Sequence, residues 1–312
     1  MNKEFILSSG YALPIVNGFR ESIKPNWRKA YKDFNNLNDE ISIEKANKLK
    51  NDIKSGVEIL SKLGITVNNK KIMDIGCYLG LQCFGAMELG AKESVGIDIP
   101  QYYFNQATNK NNLNASKVLE NKRKNIRKLH PHLNHSKITF KDLSVFEMDY
   151  ENEFDIIFSW ETFEHIMNPK EALIRIYKAL KPGGIIYSQY NPFFCISGGH
   201  SMCTLDFPFA HSLLTNEDFK RYVETNIPQN PPQKYSELSY NFFTKNLNRM
   251  TQNDLKSFID NAGFELLDFI ASPDLSLINL LDNAVLASAK IIHPTLTLND
   301  LLCSNVWFIG RK

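Results

Sequence analysis

The stretch from Lys71 to Pro100, KIMDIGCYLGLQCFGAMELGAKESVGIDIP, constrains this chain more than any other. Ile72, Met73 and Ile75 form a short apolar run that stops at Gly76, and Gly76 and Gly80 bracket a tight turn. The spacing predicts a helix from about Leu81 to Leu89, with Gly90 at the left-handed C-cap position. A second strand, Ser94 to Ile97, ends on Asp98. Strand, glycine turn, helix and strand make the first half of a doubly wound sheet. Glycines let the backbone approach a nucleoside, and a carboxylate at the tip of the next strand accepts from two ribose hydroxyls. Asp98 follows Asp74 at close to the roughly 20 positions such an acidic residue needs.

The rest of the chain sets the bounds on this reading. Its 312 residues suit one large α/β domain with insertions. Lys+Arg 36 against Asp+Glu 34 gives no global charge argument for nucleic acid or membrane. Cys77, Cys83, Cys195, Cys203 and Cys303 show no C-x-x-C spacing, which predicts reduced thiols in a cytoplasmic protein. MNKEFILSSG lacks the apolar segment of a signal peptide. No uninterrupted apolar run approaches the length of a membrane span, so no membrane partner is expected.

Along the N-terminal part, Trp27, Tyr31 and Phe34 recur near helical spacing, and Ile43, Ala46, Leu49, Ile53, Val57 and Leu60 mark an amphipathic helix. Trp27 and Tyr31 read either as a cap over the sheet edge or as an aromatic wall of the ligand site. Gln101 to Leu129 looks helical. Between Lys117 and Lys141 eight Lys/Arg face one acid, Glu120, together with His130, His132 and His135. That segment is either a solvated helix face or a patch for a phosphate-bearing substrate or an RNA backbone. Lys137 to Lys141 is a third strand, and its tip places Asp142 and Leu143 beside Asp98, Asp142 to accept from an adenine amine and Leu143 against the ring. FDIIFS, Phe154 to Ser159, is a near-continuous apolar run, as a strand buried on both faces should be. A helix from Pro169 to Leu180 stops at Lys181-Pro182-Gly183-Gly184, and a fifth strand follows over Ile185 to Gln189.

The order DIGCYLG, GIDI, KDL, FDIIFSWETFEHIMNP and ALKPGGIIY resembles the class I S-adenosylmethionine-dependent methyltransferases over residues 70–190. The likeness resumes at Thr251 to Phe269, similar to the family's last helix and sixth strand, with Val306 to Gly310 as the seventh. It implies S-adenosylmethionine as cofactor. Asp74, Gly76 and Gly80 match the motif that cradles methionine and ribose, with Cys77 and Tyr78 in the same turn. Asp98, followed by Ile99, matches the ribose ligand, Asp142 and Leu143 match the adenine pair, and Trp160 stands at the mouth. Tyr78 departs from the pattern, because it replaces the usual middle glycine, and it would wall the methionine or substrate pocket instead. A nicotinamide dinucleotide fits less well, since its pyrophosphate turn wants G-x-G-x-x-G and this turn is G-x-x-x-G.

Glu161, Glu164 and His165 follow the fourth strand at i, i+3 and i+4. On a helix the three would point one way and offer a divalent metal site. Carboxylate oxygens favour magnesium or manganese, and the imidazole leaves zinc or iron open. The alternative is a helix-start cap and pocket lining. The E-x-x-E-H form resembles two metal-assisted branches of the family, the ubiquinone-biosynthesis O-methyltransferases and the small-RNA 3′-terminal 2′-O-methyltransferases. Residues 191–250 form an insertion rich in aromatics and turns, expected to be a substrate lid. Gly198-Gly199-His200 puts a histidine at a flexible tip, so that His200 or His211 reaches the mouth as base or as fourth metal ligand. Both also read as ordinary lid histidines, and His200, Cys203, Asp206 and His211 fit no common zinc spacing. Phe193, Phe194, Phe207, Phe209, Phe242 and Phe243 line a pocket or pack the lid, and Leu275 to Leu286 offers a homodimer surface or an extra core helix.

The expectation is therefore an α/β fold: a Rossmann-like, seven-stranded, doubly wound, mostly parallel sheet with helices on both faces. Its parts are an N-terminal helical cap (1–66), the S-adenosylmethionine-binding core (67–190), a lid insertion (191–250) and a C-terminal completion (251–312). The expected activity is O-methylation of a small-molecule, sugar or glycan-precursor hydroxyl, metal-assisted or with His165, His200 or Glu161 as catalytic groups. An RNA 2′-O-methyltransferase and a non-catalytic binding protein, the latter suggested by Tyr78, are the alternatives.

Overall fold

A computed structural model describes residues 4–28, 43–99, 115–227 and 232–312. The expected Tyr31 and Phe34 positions and the first half of the Gln101–Leu129 helix lie outside them. A two-stranded antiparallel hairpin, β1 (Glu4–Ile6) and β2 (Ala12–Pro14), opens the chain. The main sheet contains β3 (Lys71–Ile75), β4 (Glu93–Asp98), β5 (Ile138–Asp142), β6 (Phe154–Trp160), β7 (Leu180–Tyr190), β8 (Glu265–Ala271) and β9 (Val306–Arg311). Their order is β5-β4-β3-β6-β7-β9-β8. The first five are parallel to one another, and β9 runs antiparallel between β7 and β8. The order reverses between β3 and β6, so their carboxyl ends border the crevice where such sheets take ligands.

Both faces are covered, which is why β3 and β6 are apolar along nearly their whole length. Ile53 and Leu60 of the helix Ile43–Lys62 pack with Ile72, Phe158 and Tyr187 on one face. The helices Pro169–Ala179 and Gln252–Asn261 bring Leu173, Ile176, Leu255 and Ile259 against Met73, Ile157 and Phe308 on the other. Caps define the helix ends: Asn168 accepts from the Glu171 amide, and Thr251 and Asp254 form a reciprocal capping box.

The N-terminal segment divides in two. The helix Ile43–Lys62 belongs to the sheet, but residues 4–28 do not form a helical cap over it. Phe5, Leu13 and Trp27 instead join Phe207, Phe209, Tyr222 and Phe243 in a separate aromatic core under the insertion. Ser8 donates its hydroxyl and its amide to Asp218, which pins the hairpin to the helix Asn216–Asn226. Arg20 stacks on Trp27 with 4.6 Å between guanidinium carbon and ring centroid, and pairs with Asp206 at 3.6 Å. The insertion and the N-terminal segment thus share one apolar core. The tail helix Asn283–Ile292 adds Val285 and Ala289 to this core and leaves Ile291 and Ile292 exposed. No helix among the described residues is long and apolar enough to cross a membrane.

Candidate active site

The glycine turn is fixed by the strand beside it. The Gly76 and Cys77 amides both donate to the Ile97 carbonyl at the end of β4, at 2.9 and 3.1 Å. Gly76 and Gly80 have φ of 77° and 76°, a region L side chains avoid. Neither has room for a Cβ, which at Gly76 would lie 2.1 Å from Thr162 Oγ1 and at Gly80 2.1 Å from the Phe140 ring. Thr162 is itself anchored by its hydroxyl on the Trp160 carbonyl at 2.8 Å. Tyr78 follows the same left-handed path, with φ 43°, although it carries a side chain. The backbone course of the turn therefore survives the loss of the middle glycine.

Asp98 stands at the tip of β4. Its carboxylate accepts from the Tyr78 amide and, at 2.7 Å, from the Ile99 amide. A carboxylate offers about four acceptor positions, so shaping the turn and accepting from a ribose diol are compatible. Asp142 is in register with Asp98 on the neighbouring strand, and the Leu143 amide donates to the Asp98 carbonyl at 2.9 Å. Asp98, Ile99, Asp142 and Leu143 thus come together as expected. Asp74 lies deeper. It is buried beneath the turn, with the Cys83 thiol 4.0 Å from its carboxyl. Burial, then the neighbouring Asp98 charge, pushes its pKa well above the usual range. Its place is in the floor of the turn, and it does not line the cavity.

That cavity, about 220 Å³, is bounded by Gly76, Cys77, Tyr78, Leu79, Leu81 and Gln82 of the turn, and by Trp160, Glu161, Thr162 and Gln189 from the ends of β6 and β7. It sits at the carboxyl ends of β3 and β6, where the sheet order reverses. Trp160 forms a wall and is held flat by Phe158, at 4.7 Å between ring centroids, and by Tyr187, at 5.8 Å. Glu161 is exposed at its rim, with φ 47°.

The expected metal set is not assembled. Only Phe163–His165 form a helical turn, of the tight 3-10 kind, and Glu161 precedes it in a left-handed conformation. The i, i+3, i+4 face that would gather the donors does not exist. Glu164 instead turns inward, where its Oε1 accepts from the Asn191 amide and side chain, both at 3.1 Å. Burial pushes its carboxyl up to about 8. His165 Nδ1 meets the Asn246 carbonyl at 2.7 Å, so the proton sits on Nδ1, and burial lowers its pKa to about 4. His200 stacks on Phe242 with centroids 4.0 Å apart and accepts at Nδ1 from the Met202 amide. The His165 and His200 rings are 6.1 Å apart, and neither lines the cavity. Glu161, Glu164, His165 and His200 place no three donor atoms within metal-binding range of one another. His211 is buried against Phe193. The six phenylalanines of the insertion are all buried packing groups.

Arg123 was hidden in the basic run. It is buried, and its guanidinium donates twice to the Tyr78 carbonyl while lying 4.3 Å from the Phe140 ring centroid. It clamps the turn from behind and brings positive charge toward Asp74. Leu119, Arg123 and Ile126 fall on one stripe of the helix Ala115–Leu129, and both apolar members are buried. That spacing was the available signal.

A family model described as a methyltransferase domain matches residues 47–268. The chain belongs to this family. With the strand order and the glycine turn, it carries a class I S-adenosylmethionine-dependent methyltransferase domain. It is 29% identical over 125 residues to a mitochondrial ubiquinone biosynthesis O-methyltransferase of Dictyostelium discoideum, covering 37% of this chain and 33% of that protein. It is 31% identical over 116 residues to a ubiquinone biosynthesis O-methyltransferase of Bradyrhizobium sp. (strain ORS 278), covering 37% and 38%. The chain thus spans about a third of the length of the curated relatives it matches. An S-adenosylmethionine dependent methyltransferase from Mesorhizobium loti superposes with a TM-score of 0.47 at 14% identity, covering 82% of this chain and 96% of that one. That likeness is too distant to transfer any residue's role.

Proposed function

We propose that this protein methylates a hydroxyl oxygen of a small-molecule or sugar-containing acceptor. The observation that carries the reading is Glu161, an exposed carboxylate held at the rim of the cavity that the glycine turn closes from below. S-adenosylmethionine, when bound, supplies an activated methyl group. The turn and Asp98 would hold its nucleoside, while Tyr78 and Trp160 wall the cavity beyond. Glu161 accepts a hydrogen bond from the acceptor hydroxyl and takes its proton as the oxygen–methyl bond forms. The lid, anchored by Asn191 on Glu164, limits water at the mouth. The names of the partial relatives, O-methyltransferases, support oxygen as the acceptor atom.

An RNA acceptor has less support. A groove of about 690 Å³ between the helix Ala115–Leu129 and β5 is lined by Arg123, Lys124 and Arg127. Their charges are engaged within the chain, however: Arg127 on the His135 and Ile138 carbonyls, Lys124 on Glu120 and Arg123 on Tyr78.

Transfer of labelled methyl from S-adenosylmethionine to a panel of phenolic and sugar hydroxyls tests the reading. Glu161→Gln should lower kcat on any acceptor found by about 100-fold or more, with S-adenosylhomocysteine affinity little changed. Full turnover in Glu161→Gln removes the base assignment.

A further inference from the structure

The far end of the sheet holds a donor cluster that methyl transfer does not use. The helix Leu81–Glu88 ends on Glu88, at the side where β4 begins. The chain leaves the helix Ala115–Leu129 through His130-Pro131-His132, before β5 begins on that same side. Both imidazoles converge on one carboxylate oxygen. His130 Nδ1 lies 2.8 Å and His132 Nε2 3.8 Å from Glu88 Oε1, and all three donor atoms fall within 4.8 Å of one another.

We propose that Glu88, His130 and His132 bind a divalent transition ion of the zinc(II) class. Zinc takes imidazole nitrogen and carboxylate oxygen at about 2.0–2.2 Å in a tetrahedral shell, which sets donor–donor separations near 3.3 Å. The two measured separations bracket that value. Two histidines, one glutamate and a water complete such a shell. The site is partly preformed. The His130 ring is buried and stacks on Phe84, with centroids 5.6 Å apart and planes at 20°, and His135 Nε2 meets the His130 carbonyl at 2.7 Å. On binding, His130 Nδ1 releases its 2.8 Å contact with Glu88 and its proton, and His132, whose side chain is 63% exposed, is ordered by the ion. Among the described residues no other set of three His, Cys, Asp or Glu donors is grouped this closely.

The consequence is structural. The ion ties the helix that follows the glycine turn to the helix that carries Arg123, at the end of the sheet away from the cofactor turn, so it stabilises the fold without touching the cofactor site. It takes no part in methyl transfer, and this inference stands whether or not the acceptor is a hydroxyl.

The test uses the full chain, freed of metal by chelator and dialysed against zinc chloride. The expected result is one zinc per chain, a rise in melting temperature with zinc, and a four-coordinate visible spectrum when cobalt(II) replaces it. His132→Ala, at an exposed position, and Glu88→Gln should each weaken zinc binding by at least about tenfold, roughly 1.4 kcal/mol, and leave S-adenosylhomocysteine affinity unchanged. No stoichiometric uptake, or uptake unaltered in the His132→Ala, Glu88→Gln double variant, overturns the proposal.

Discussion

The cofactor half and the insertion over residues 191–250 are built by different rules. The turn from Gly76 to Gly80 and the tips of β4 and β5 are held by backbone amides: Gly76 and Cys77 on Ile97, Tyr78 and Ile99 on Asp98, Leu143 on Asp98. These bonds need particular residues at particular places, such as glycine where a Cβ has no room and a carboxylate at a strand end. The insertion is held mainly by apolar contact among segments far apart in the chain: Phe5 and Trp27 from the N-terminus, Phe207, Tyr222 and Phe243 from the insertion, and Val285 and Leu301 from the tail. Burial there asks only for size and shape, which many side chains meet. Damage to the first half should appear as lost affinity for the cofactor, and damage to the second as lost stability and lost acceptor handling.

Trp27→Ala presses hardest on that distinction. It empties a buried site between Arg20 and the lid core, and should cost roughly 3–5 kcal/mol of stability. Turnover should fall in proportion to lid order, while calorimetry at low temperature should find S-adenosylhomocysteine affinity nearly intact. A parallel loss of affinity would mean that the two halves are one cooperative unit.

Glu164 sits where the halves meet, and its pH response separates them. It holds its proton more tightly folded, at about 8, than at its ordinary 4.5. Its contribution is therefore complete below about pH 4.5 and is lost as pH rises toward about 8, by an amount of the order of 5 kcal/mol. His165 and His200, lowered by burial to about 4 and about 3, act oppositely, since their contribution is lost as pH falls below about 6.5. Glu164→Gln should remove the alkaline decline in melting temperature and keep the acid one. An unaltered alkaline decline would locate the titrating group elsewhere.

A smaller effect is expected at Arg123. Replacement by Met keeps much of the packing but removes the clamp on the Tyr78 carbonyl, and should weaken cofactor binding by about 1–3 kcal/mol. Undiminished affinity would show that Asp98 alone shapes the turn.

The same contrast explains what could be read in the sequence. The strand order, the turn and the Asp98–Asp142 register were legible because backbone geometry leaves few residue choices there. The lid aromatics were visible as a group, but whether they line a pocket or fill a core depends on partners hundreds of positions away, as with Ser8 and Asp218. The reading of E-x-x-E-H failed at a single torsion. The metal alternative needs helical spacing from Glu161 onward, but the chain enters φ 47° there and coils only at Phe163. Arg123 was obscured by its neighbours, because one buried cation in a run of solvated ones is distinguished only by its place between Leu119 and Ile126.

Calorimetric titration of S-adenosylhomocysteine into the wild-type chain and into Asp98→Ala tests the central claim most directly. One site per chain is predicted for the wild type, with affinity lower by the order of 100-fold in Asp98→Ala, as two charge-assisted hydroxyl bonds would require. No binding to the wild type, or equal binding to both, would contradict the assignment of this turn as the cofactor site.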